Sequence, residues 1–62
     1  MKSFSFNGNK SRIVFAWSNI NQAHLVWRED TGHQTNVRVH TRRDDAAEDY
    51  AARVRFVKKV TA

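Results

Sequence analysis

Asn36-Val37-Arg38-Val39-His40-Thr41-Arg42-Arg43-Asp44-Asp45-Ala46-Ala47-Glu48-Asp49-Tyr50-Ala51 is the stretch on which the fold turns. Through His40 apolar and polar side chains alternate, which is the period of a strand. From Ala47 the period changes: Ala47, Tyr50, Ala51, Val54 and Val57 recur at helical spacing. Thr41-Arg42-Arg43-Asp44 fits a capping-box pattern at the start. Acids crowd the first turns and bases the last, as the helix dipole favours, and Asp49 and Arg53 form an i,i+4 pair. The pattern predicts a helix over about residues 43–57. Phe56 disagrees with it, lying roughly 180° from Ala47 at ~100° per residue. Either the helix ends near Arg55 and Phe56 turns inward on a short tail strand, or Phe56 packs on the first strand or on a partner.

Upstream, the same alternation recurs between turn signals. Asn7-Gly8-Asn9 is a hairpin signal, and Asp30-Thr31-Gly32 is a turn with glycine where positive φ is needed. Phe4 and Phe6 alternate with serines. Ile13, Phe15 and Trp17 alternate with Arg12, Val14 and Ala16, so this strand is apolar on both faces and reads as central. Leu25 and Trp27 alternate with His24, Val26 and Arg28; Val37 and Val39 alternate with Asn36, Arg38 and His40. Ser18 to Ala23 reads as a loop, with a competing helical reading of Ile20, Ala23 and Trp27. The expectation is an α+β fold: an antiparallel sheet of three to four strands (about 2–7, 11–17, 24–29 and 35–41) with one C-terminal helix packed on one face.

The 62 residues make a single small basic domain. A chain of this size buries only about 60% of its unfolded surface, and without cysteine no disulfide supports it. Homodimerisation is a usual remedy. No apolar run reaches the ~20 residues of a membrane span, and no secretory pattern follows Met1-Lys2, so the expected location is the cytoplasm. There is no thiol nucleophile or glycine-rich phosphate loop, and His24, His33 and His40 lack ligand spacing. No catalysis, metal or cofactor is therefore expected.

Eleven Lys and Arg against six Asp and Glu give a net charge of +5. The acids are confined to Glu29-Asp30 and to residues 44–49, leaving both ends basic. Such a chain attracts polyanions over roughly 8 Å at physiological salt. If Ile13, Phe15, Trp17, Leu25, Trp27, Val37 and Val39 all face the helix, the opposite face presents Arg12, His24, Arg28, Asn36, Arg38 and His40 as one cationic panel without acids. Arginine forks suit phosphate or guanine edges, and asparagine suits adenine. On this reading Trp17 and Trp27 belong to the core. Arg42 and Arg43, just before the helix, are placed to clamp a phosphate.

Trp27 to Gln34, then Val37 to Ala51, resembles the arm-type N-terminal DNA-binding domain of tyrosine integrases over about residues 11–57. The shared features are a strand, a turn ending in glycine, a strand ending in Thr41 with the pair Arg42-Arg43, and a helix opening with acids and alanines. The resemblance implies a three-stranded sheet that enters the DNA major groove while the helix supports it. Carried onto this chain, it names Arg12, Arg28, Asn36, Arg38 and His40 as readers. The expected function is a non-enzymatic duplex-DNA-binding module, an accessory or regulatory protein of phage or mobile-element type. The alternative is a small protein-interaction module, such as an inhibitor or adaptor of a larger enzyme.

Overall fold

The computed structural model describes residues 1–61. Four strands are followed by one helix: β1 (Lys2–Phe6), β2 (Ser11–Ser18), β3 (Ala23–Asp30), β4 (His33–His40) and α1 (Arg43–Thr61). The strands form one antiparallel meander in the order β1-β2-β3-β4, so the α+β architecture expected from the sequence is the one observed. Strand boundaries move by one or two residues and the helix end by four. The helix runs past Val57 to Thr61, and Phe56 stays within it, 63% exposed. Ile20 lies in the β2–β3 loop, while Ala23 and Trp27 belong to β3, which removes the helical alternative.

The turns follow from local chemistry. Asn7, Gly8 and Asn9 all have positive φ, and the Lys10 amide donates to the Asn7 carbonyl at 3.2 Å. Asparagine and glycine tolerate this left-handed region better than other residues. The two-residue Thr31-Gly32 turn has φ of 50° and 87°, the signature of a type I′ hairpin. The Thr31 amide donates to the Lys10 carbonyl at 2.7 Å and ties the two hairpin ends together.

The core lies on one side of the sheet. Ile13, Phe15 and Val26 pack with Ala46 and Val57 of α1, and Phe4, Phe6, Tyr50 and Val54 close the margins. Cross-strand partners project to the same side, so the register fixes both faces. Ile13 pairs with Phe4 and Arg28, Phe15 with Lys2 and Val26, and Trp17 with His24. Val26 pairs with Arg38, and His24 with His40. The helix side of β3 and β4 therefore carries His24, Val26, Arg28, Arg38 and His40. The other side carries Arg12, Val14, Ala16, Leu25, Trp27, Glu29 and Val39.

This corrects the face assignment expected from alternation. Leu25, Trp27 and Val39 do not face the helix, and His24, Arg28, Arg38 and His40 do not face away from it. The physical cause is hairpin parity. The four-residue loop 19–22 joins odd positions of β2 to even positions of β3, so the apolar odd positions of the two strands lie on opposite faces. The two-residue turn pairs Arg28 with Thr35, and a bulge between Val26 and Arg28 shifts the register so that Val26 meets Arg38. Asn36, at φ 53°, sits in the bulge on β4.

Candidate functional site

The sequence-predicted DNA readers are divided among three surfaces. Arg12 is alone on the open face, where it forms an ion pair with Glu29, its cross-strand partner. Arg28, Arg38 and His40 lie on the helix side, and Asn36 occupies the bulge beside them. Arg42 and Arg43 are exposed at the β4–α1 junction, where the Arg42 carbonyl accepts the first-turn amide of Ala46 at 3.2 Å. There is no single basic panel on the open face. Its β3 and β4 members do stand together, but turned toward the helix.

Their environments differ. Arg28 Nε donates to Asp30 Oδ2 at 2.9 Å and Oδ1 at 3.1 Å, and its guanidinium lies 5.2 Å from the Phe6 ring centroid. His40 Nε2 donates to Asp49 Oδ2 at 2.8 Å, while Arg53 Nε donates to Asp49 Oδ1 at 2.9 Å. Asp49 thus joins β4 to α1. Burial pushes its carboxyl up, but the hydrogen bonds from His40 and Arg53 outweigh this and hold it below the ordinary 3.8. The Asp30 carboxyl is likewise lowered, first by Arg28 and then by Ser11; that of Glu29 is lowered first by Arg12.

Between α1 and β4 runs an open groove of about 580 Å³. Arg28, Asn36, Arg38 and Arg53 supply its polar lining, and Ile13, Val37, Ala52, Phe56 and Val57 its apolar part. Among the described residues Arg53 Nη1 is buried without a hydrogen-bond partner. Arg38 has no ion pair or side-chain hydrogen bond among the described residues. Sequence reasoning missed Arg53 as part of this cluster, having assigned it only a pairing along the helix. The signal was present in the i,i+4 pair itself: a residue that pairs with Asp49, one turn away, sits on the same stripe as His40's partner.

The open face has a different character. No other element among the described residues covers it, yet its centre is apolar. Val14 is fully buried there by its neighbours, Leu25 and Trp27 are half-buried, and Val39 is 60% exposed. The Arg12–Glu29 pair and the side chains of Ser3, Ser5 and Gln34 stand around this strip. Trp17, on the helix side, is 49% exposed against His24 beyond the helix start. Neither tryptophan is enclosed in the core. Among the described residues no helix is long and apolar enough to cross a membrane. No known family, curated protein or solved structure matches this chain.

Proposed function

We propose that the protein is a non-enzymatic protein-interaction module that docks through its open sheet face. The observation that carries this reading is the uncovered strip of Leu25, Trp27 and Val39 over Val14. A sheet face destined only for water alternates to polar side chains, and this one does not. An apolar centre with an aromatic anchor and a polar rim is the anatomy of a protein contact. The basic surface adds electrostatic steering toward an acidic partner. A second copy of the chain is one occupant such a face admits.

Duplex-DNA binding remains a second reading, and a specific feature favours it: Arg38, Arg42 and Arg43 are exposed cations near the C-terminal end of β4, and among the described residues none has an ion pair. Their role in that reading is to hold phosphate.

The experiment is an affinity capture with the full chain after nuclease treatment, run beside the Val39→Lys variant. The interaction reading expects one stoichiometric protein, or self-association in a concentration series by sedimentation, lost in the variant. Duplex binding with a steep log–log salt slope, unaltered by Val39→Lys and weakened by Arg38→Ala, transfers the assignment to DNA.

A further inference from the structure

We infer that the groove between α1 and β4 is a separate binding site for an acidic segment of a partner protein, with carboxylates held by Arg38 and Arg53 and an apolar side chain set against Phe56. The site lies on the opposite side of the sheet from the open apolar face and stands or falls independently of it.

Three observations converge. The first is charge: three arginines line one groove, and the carboxylates bonded to them, Asp30 and Asp49, number two. Arg38 is the cation left over. The second is the state of Arg53. Its Nε is committed to Asp49, but its Nη1 is buried and has no acceptor among the described residues. A buried charged donor without a partner is costly, and Arg53 lines the groove, so a small turn of its guanidinium toward an entering carboxylate relieves that cost. The third is local backbone. Asn36, in the left-handed region at φ 53°, makes the bulge at the groove's rim. Bulges recur beside functional sites, where they re-aim side chains.

The apolar lining selects the kind of anion. Phe56 is a large aromatic residue left 63% exposed on the helix, with Ala52 beside it in the groove and Ile13 and Val57 beneath. A free inorganic ion leaves that surface uncovered. A segment that alternates acidic and aliphatic residues covers it and neutralises the arginines together. Duplex DNA is broad and presents phosphates rather than apolar groups, so it fits the exposed junction around Arg42 better than this cleft.

The test is an amide and arginine side-chain NMR titration of the full chain with a capped peptide alternating Glu and Leu. An otherwise identical Gln-Leu peptide and a duplex oligonucleotide serve as competing probes. The Glu-Leu peptide is expected to move resonances of Asn36, Arg38, Arg53 and Phe56 to saturation, and the Gln-Leu peptide to leave them in place. Arg38→Ala should weaken the Glu-Leu peptide roughly tenfold or more, the loss of one charge-assisted contact. Arg38 is exposed and unpaired, so this variant keeps the fold. Arg12→Ala, on the other face, should change nothing. Shifts spread evenly over Lys10, Arg42 and Lys59 would overturn the site in favour of diffuse attraction. Equal response to the Gln-Leu peptide, or groove shifts with duplex alone, would overturn it as well. A partner captured through the open face whose affinity is indifferent to Arg38→Ala leaves the docking function standing and removes the groove.

Discussion

Thr31 is a β-branched residue at φ 50°, a region that its side chain disfavours. Its amide bond to Lys10 and the hydroxyl bond to the Asp30 carbonyl at 2.7 Å hold it there. The following Gly32 already has the conformation that the second position of a type I′ turn requires. Asparagine accepts positive φ more readily than threonine and keeps the backbone donor. Thr31→Asn is therefore expected to stabilise the protein by about 0.5–1 kcal/mol, the scale of backbone effects at compatible turn positions. In a domain of this size that raises the midpoint by a few degrees, roughly 4–8 °C per kcal/mol, which thermal unfolding followed by circular dichroism measures. An unchanged or lower midpoint would show that the hydroxyl bond outweighs the relief of strain.

At the scale of elements, Asp49 is the point where β4 and α1 are joined, since it accepts from His40 across the gap and from Arg53 along the helix. Asp49→Ala leaves both donors without their acceptor and is expected to cost about 1.5–3 kcal/mol in urea denaturation at pH 7. The cost has a pH signature. Because the folded carboxyl lies below its ordinary 3.8, its contribution is complete above that value and disappears as pH falls through the lower folded-state value. The gap between wild type and variant should therefore narrow below about pH 4; a gap independent of pH would mean that Asp49 acts through packing alone. The same elements show what the sequence could and could not convey. The switch from period two to helical spacing at Thr41 placed α1 and made the architecture legible. The faces of β3 were not legible from alternation, because Leu25 and Trp27 compete with Val26 for the core and both readings are apolar. Parity between strands depends on loop length and bulges, where one residue reverses a whole strand. The two-residue Thr31-Gly32 turn does imply that Arg28 meets Thr35, and Asn36 is a residue suited to a left-handed bulge. Those two local facts were the available clue that β4 changes register. They carry Arg38 and His40 to the helix side, where the 19–22 loop has already set Arg28, and so bring all three near Arg53, which no linear pattern places beside them.

For the whole molecule, the asymmetry of the sheet separates the residues that hold the fold from those of the proposed docking surface. One face carries the core, and the other carries an apolar strip that no element among the described residues covers. A chain of this length has a stability of about 3–9 kcal/mol at typical values per residue. Val26 is fully buried at the centre of the covered face, so Val26→Ala, losing about two methylene groups and leaving a cavity, should remove about 2–3 kcal/mol of it. Val39 is the same residue type on the opposite face, 60% exposed at the edge of the open strip. Val39→Lys loses little burial and should move the urea midpoint by no more than about 0.5 kcal/mol in equivalent stability. The two variants thus separate folding from docking. Val26→Ala weakens partner capture only in proportion to the fraction unfolded, whereas Val39→Lys should abolish it in a protein as stable as wild type. If Val39→Lys unfolds the chain instead, the open strip is part of what holds the domain together; if it does neither, the strip is an ordinary solvated face and the docking function has lost its surface.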